Sequence, residues 1–290
     1  MPLTRTADLL AAAVRGGHGL GAFNVIQLEH AYALVAAAER AGTAVVLQIS
    51  ENCVRYHGSL APLLGAALAV AEESAVPVAV HLDHVESAEL VEQGLRLGVG
   101  SVMFDASTAP YAENVARTRE IVRRCHDRGV AVEAELGEVG GKDGVHAPGA
   151  RTDPAEAAAF AEATGVDALA VAVGSSHAMR TRDAELDFDL IAALRAAVGV
   201  PLVLHGASGI ADPDLTRAVR TGLTKVNIAT HLNAAFTGAA RRALAADPAL
   251  VDPRRYLAPA RAAVTEEAAR LLGVLDAVPA TAVPPGTPQA

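Results

Sequence analysis

Tryptophan is absent from this chain, and five phenylalanines and four tyrosines make up its aromatic complement. So few rings argue against a nucleic-acid surface built on base stacking. Concentrated positive charge is missing too: the net charge is −9 and no block of Lys or Arg interrupts it. Such a surface would repel a polyanion, whereas a small phosphorylated molecule needs only a few local donors. The two cysteines, Cys53 and Cys125, form neither a metal-binding pair nor a Cys-x-x-Cys motif, and they read as unreactive thiols in a reducing cytoplasm. No run of 18 apolar residues is free of charge, so no membrane span is expected. The Ala/Leu segment behind Met1 is broken by Asp8 and Arg15 and makes a poor signal peptide.

Of the 290 residues, 51% are hydrophobic, ample for a packed core. Apolar, β-branched runs at Gly21–Val25, Ala44–Ile49, Val78–Leu82, Ser101–Asp105, Val130–Leu136, Ala168–Val173, Leu202–His205 and Lys225–Ile228 read as strands. Ala-, Leu-, Glu- and Arg-rich stretches between them carry helical spacing, as in Leu28–Arg40, Leu60–Glu73 and Ala112–Arg128. Continuous apolar strands separated by single helices indicate a parallel sheet covered by helices. Eight such units are the count of a (β/α)8 TIM barrel, an α/β fold; a doubly wound open sheet is the rival. Gly42, Gly98, Gly129, Gly165 and Gly222 stand where helices return to strands and read as C-caps. Helices follow from about Thr237, with Leu257–Leu275 the longest, and residues 277–290 read as a loose tail behind a single domain of residues 1–276.

In a barrel the site is assembled at the C-terminal ends of the strands, and the unusual polar residues fall there. His84, His177 and His205 close strands three, six and seven, and three nitrogens can hold one zinc with a position open for substrate. Strict alternation, however, points Asp83 and His84 to opposite faces, so strand three must end or turn at this point. Gly206-Ala207-Ser208-Gly209 and Asn227-Ile228-Ala229-Thr230 follow strands seven and eight, where barrels often bind phosphate. Asp105, Glu133 and Glu135 add carboxylates near strand ends. Such an acidic pair inside a barrel is costly unless a metal, Arg, Lys or backbone donors satisfy it.

These residues give the chain a resemblance to the class II fructose-bisphosphate and tagatose-bisphosphate aldolases. The match runs in order over about residues 5–240. It includes Gly21-Ala22-Phe23-Asn24, Gln48-Ile49-Ser50, His81-Leu82-Asp83-His84, Glu133-Ala134-Glu135-Leu136-Gly137, Ser176-His177, His205-Gly206-Ala207-Ser208-Gly209 and Lys225-Val226-Asn227-Ile228-Ala229-Thr230. The resemblance implies a Zn2+ on His84, His177 and His205, with Asp83 moving a proton at the substrate. It also implies a second cation, divalent or monovalent, at Asp105 and Glu135. Substrate contacts would come from Asn24, Ser50, Ala178, Gly206, Ala207, Ser208, Asn227, Ile228, Ala229 and Thr230. The implied reaction is reversible cleavage of a phosphorylated ketose to dihydroxyacetone phosphate and an aldehyde, by a homodimer or homotetramer.

Three departures stand out. Ala178 replaces the Gly that usually follows the second metal histidine, and Ala106 replaces the Gly of an Asp-Gly-Ser. The loop after Gly140-Gly141 reads Lys142-Asp143 where the family carries Glu. Ala229 matches the tagatose-type branch, where the fructose branch often has Asp. The alternative is a sugar-phosphate-binding relative without turnover on the same scaffold.

Overall fold

The computed structural model describes residues 3–136, 151–176 and 181–276. Eight strands, β1 (Leu20–Asn24), β2 (Val45–Ser50), β3 (Val78–Val85), β4 (Ser101–Phe104), β5 (Ala131–Leu136), β6 (Ala168–Val171), β7 (Leu202–Leu204) and β8 (Leu223–Ile228), form a closed barrel. Each pairs in parallel with the next, and β8 pairs with β1. Closure excludes the open doubly wound sheet. Most boundaries lie within two residues of those read from the sequence; β3 runs three residues further and β8 begins two earlier.

Two helices were not read from the sequence. α1 (Thr6–Gly16) precedes the barrel, and α3 (Glu51–His57) is inserted before α4 (Ala61–Glu72). The remaining crossovers are α2 (Leu28–Ala41), α5 (Ala88–Leu97), α6 (Tyr111–His126), α7 (Pro154–Thr164), α8 (Phe188–Ala197) and α9 (Asp212–Thr221). Ser50, Ser87, Asp153 and Asp187 accept backbone N–H groups at the starts of α3, α5, α7 and α8. Those bonds satisfy donors that have no partner inside the helix. Gly42, Gly98 and Gly165 cap α2, α5 and α7 in the left-handed conformation as expected, but Gly129 lies beyond the Asp127 cap of α6. Two helices follow the barrel: α10 (Thr230–Ala246), which starts well before Thr237, and α11 (Pro253–Asp276), four residues longer at its N-terminal end than expected. No described helix is long and apolar enough to cross a membrane. Residues 277–290 lie outside the described residues.

The barrel interior changes character from bottom to top. At the bottom, Leu9, Leu10 and Ala13 of α1 pack against Leu20, Ala22, Val46, Ala79, Ala168, Ala170 and Val203. This apolar plug explains why the Ala/Leu segment near the N-terminus is amphipathic. Alternation carries the same inward face upward to His81 and Asp83 on β3, Glu133 and Glu135 on β5, and Lys225 and Asn227 on β8. All six are buried. Lys225 has no solvent exposure at all, and its Nζ lies 2.7 Å from Glu133 Oε2. His81 Nδ1 lies 2.7 Å from Ser101 Oγ, which also meets the Thr6 hydroxyl of α1. The outer core, between strands and helices, is almost wholly Leu, Val, Ile, Ala and Phe.

A buried ammonium persists only where its partner repays the lost hydration. Lys225→Met, which strands Glu133, should cost about 3–5 kcal/mol in a denaturant titration. Combining it with Glu133→Gln should recover part of that loss, and a cost below about 1 kcal/mol for the single variant would show the pair to be unimportant.

Candidate active site

The difficulty posed by Asp83 and His84 is resolved by a β-bulge. On β3, Leu82 pairs with Val102 but Val85 pairs with Phe104, so Asp83 and His84 together face the single residue Met103. His84 takes φ 48°, the only positive φ of a non-glycine among the described residues. The extra residue breaks the two-residue alternation. Strand three therefore neither ends nor turns at Asp83; it bulges and continues to Val85. A non-glycine residue in this region costs of order 1–3 kcal/mol and persists only where its surroundings hold it. Here His84 Nδ1 lies 2.6 Å from Asp105 Oδ2, while Asp105 Oδ1 accepts the backbone N–H and hydroxyl of Ser107.

His205, at the end of β7, is fully buried and stands between two carboxylates. Its Nε2 lies 3.0 Å from Glu133 Oε1 and its Nδ1 lies 3.1 Å from Glu135 Oε2. Because Glu133 also holds Lys225, one edge of the imidazole is tied to the barrel wall. The rings of His84 and His205 meet edge to face with centroids 4.7 Å apart. Two donor sets result. Asp83, His84 and His205 bring one ligand atom each to within 4.8 Å of one another, and so do His84, Asp105 and Glu135. Two imidazoles and a carboxylate suit zinc; one imidazole and two carboxylates suit a harder cation. Among the described residues, the structure thus gathers Asp83, His84, His205, Asp105 and Glu135 into one cluster that shares His84.

Asp83 is held from both sides by side-chain amides. Gln48 Nε2 points at its Oδ2 and Asn227 Nδ2 at its Oδ1, each at 3.4 Å, and Gln48 also donates to Asn24 Oδ1 at 2.7 Å. Burial pushes the Asp83 carboxyl up, but His84, His205, Lys225 and His81 together pull it below its ordinary value. Gln48, His81 and Lys225 had no site role in the sequence reading; Glu133 stood there beside Glu135 as a carboxylate in need of a metal, Arg, Lys or backbone donors, and Lys225 is the partner it finds. The signal available for Lys225 was a lone cation at an inward position of a buried strand.

Gly206 adopts φ 68°, and a Cβ there would lie 2.5 Å from the Ser176 carbonyl oxygen. Only glycine permits this approach of the loops after β6 and β7. Ser175 Oγ reinforces it by donating to the His205 carbonyl at 2.6 Å. Ala207, Ser208 and Gly209 form a single 3-10 turn. The Ser208 hydroxyl accepts from the backbone N–H of His231 at 3.2 Å and of Ala229 at 3.4 Å, so it caps α10 and keeps its own proton to donate. Ser208 and Thr230 line a cavity of about 460 Å³ beside the first turn of that helix. Ser50 serves as the cap of α3, accepting from Cys53 at 3.2 Å. His177 and Ala178 lie outside the described residues, as do Lys142, Asp143 and His146.

Comparison with known proteins places this architecture. Residues 4–278 match the family model described as Fructose-bisphosphate aldolase class-II. The YdjI aldolase from Escherichia coli K12 is similar at 33% identity, over 94% of this chain and 97% of that one, with a TM-score of 0.83. A putative fructose-1,6-biphosphate aldolase from Coccidioides immitis shares 28% identity over 94% and 96% of the two chains, also with a TM-score of 0.83. The fructose-bisphosphate aldolase (Fba) of Campylobacter jejuni, at 22% identity over 92% and 93%, shares the fold with a TM-score of 0.77.

The buried histidines give the metal-free protein a pH signature. Burial, then Lys225, pushes His81 down to about 3. Burial opposes the charge on His205, but Glu133 and Glu135 outweigh it and push that histidine up to about 9. Below about 6.5 the unfolded chain binds the extra proton at His81, so stability should rise with pH from about 3 to 6.5. Above about 6.5 the folded chain binds the extra proton at His205, so stability should fall from there through about 9. Over that upper window metal uptake should strengthen, because a ligand nitrogen must shed its proton to bind. Metal affinity that is flat across the window would show that His205 sheds no proton when metal binds.

Proposed function

Since the chain belongs to the class-II fructose-bisphosphate aldolase family, we propose that it cleaves and forms a carbon–carbon bond in a phosphorylated ketose, releasing dihydroxyacetone phosphate and an aldehyde. The observation that supports this best is the strained bulge of β3. It turns a carboxylate and an imidazole from adjacent residues toward one cluster, with His205 4.7 Å from His84. A protein that only binds sugar phosphates has no use for that strain.

In this reading His84 and His205, with His177, hold a Zn2+, and Asp105 and Glu135 are available to a second cation. Bound there, zinc would supply a Lewis acid that stabilises negative charge on the ketone fragment as the bond breaks. Asp83, ionised at neutral pH, takes the proton from the hydroxyl on the carbon that becomes the aldehyde. The O–H electrons form the new carbonyl, and the carbon–carbon pair remains with the three-carbon fragment, which takes up a proton from water at that carbon to leave as dihydroxyacetone phosphate. In the condensation direction Asp83 returns the proton. Asn227 and Gln48 hold its two oxygens in place. Ser208, Thr230 and the backbone of residues 206–208 and 227–230 receive the phosphate, with the α10 N-terminus favouring its charge. Asn24 and Ser50 contact the rest of the chain, and Ala178 borders the phosphate. Phosphorylated ketoses and two buried thiols fit a cytoplasmic homo-oligomer.

Turnover against a panel of phosphorylated fructose, tagatose and other ketoses, with and without a chelator, tests the reading. Activity on at least one member and its loss with chelator are expected; full activity without metal would sink it. Asp83→Asn should remain folded and metal-loaded, bind dihydroxyacetone phosphate, and turn over at least about a hundredfold more slowly. Near-wild-type turnover would move the proton to Glu135, Asp143 or His146.

A further inference from the structure

A belt of alternating charges runs behind the phosphate turn and joins loops six, seven and eight to the appended helix α11. Arg182, in the loop after β6, donates through Nε to the Ile210 carbonyl at 2.8 Å and through Nη2 to Asp212 at the start of α9. The second oxygen of Asp212 binds Arg270 of α11. Arg270 holds Glu267 at 2.6 Å, and Glu267 holds His231 Nε2 of α10 at 2.6 Å. The backbone N–H of His231 donates to Ser208 Oγ, so the belt returns to the loop after β7, two residues from the Ile210 carbonyl that Arg182 binds. Burial pushes Asp212 and Glu267 up, yet their cationic partners hold both below the ordinary carboxylate value.

We infer that this belt positions the phosphate turn, so that α11 sets affinity for the phosphorylated end of the substrate without touching it. The inference rests on the aldolase reading of Ser208 and Thr230. Its members are partly exposed, and exposed ion pairs contribute little to stability. Asp212, however, binds both the loop after β6 and α11, Glu267 joins α11 to α10, and the belt meets the turn at Ser208 within it and at Ile210 just behind it. Removing one member therefore frees the turn relative to α10 while leaving the barrel interior and the metal cluster as they are.

Glu267→Gln in the metal-loaded enzyme is the test, read by bound metal, melting temperature and titration with dihydroxyacetone phosphate and with unphosphorylated dihydroxyacetone. Unchanged metal content, unchanged dihydroxyacetone affinity and a two- to thirtyfold weaker dihydroxyacetone phosphate affinity, about what coupling networks transmit, are expected. Arg182→Lys, at the far end of the belt, should give the same selective loss, and it serves should Glu267→Gln fail to fold. Unchanged phosphate affinity, equal weakening of both ligands, or loss of metal would overturn the inference. If the wild type turns over no phosphorylated ketose but the selective loss persists, the belt stands and the aldolase reading falls.

Discussion

A lysine sealed inside a barrel is the constraint around which the upper half of this molecule is arranged. The Lys225 ammonium has no solvent exposure, so it requires Glu133, and Glu133 in turn faces His205. His205 reaches on to Glu135. Charges of alternating sign follow one another from the wall to the mouth, and each offsets the desolvation of its neighbour. Removing one would leave a charge stranded in a low-dielectric interior, which costs more than the pair contributes. The chain of contacts therefore has little freedom, and it fixes the orientation of the one histidine that both carboxylates need.

The bulge of β3 is the complementary device. A regular strand can present only one of two adjacent residues to its interior. The additional residue at 83–84 presents both, at the cost of a left-handed histidine that Asp105 restrains. Glycine supplies the remaining geometry: Gly206 lets the loops after β6 and β7 approach closely. Strain at His84 and close approach at Gly206 fall on the two strand ends that carry the facing imidazoles of His84 and His205, as expected where local backbone cost is tied to a site.

α1 and α11 are additions to the eightfold repeat, and they serve opposite ends. α1 fills the bottom of the barrel with Leu9, Leu10 and Ala13, and its Thr6 reaches the hydroxyl that holds His81. α11 packs beside α2 and α10, and its Glu267 and Arg270 meet the first turns of α10 and α9 at the top. The upper end of the barrel is thus supported from below by a charged interior and from outside by a charged belt.

The sequence by itself determined the repeat and the cast of the site. Strand and helix periods are local properties, so eight alternating units and their polar strand ends could be read residue by residue, as could the resemblance carried by His81–His84 and His205–Gly209. α1 escaped because its apolar face has no meaning until a barrel bottom exists to receive it. α3 escaped because a seven-residue helix shows hardly two turns of period. Glu133 and Lys225 were legible as strand residues but not as partners, since they are separated by 92 positions and meet only when the barrel closes; Gln48 likewise meets Asn24 and Asp83 only across neighbouring strands. The facing of His84 was likewise beyond local reading. Alternation argued against it, and only the register between β3 and β4, a relation between two strands, decided that one residue would be extra.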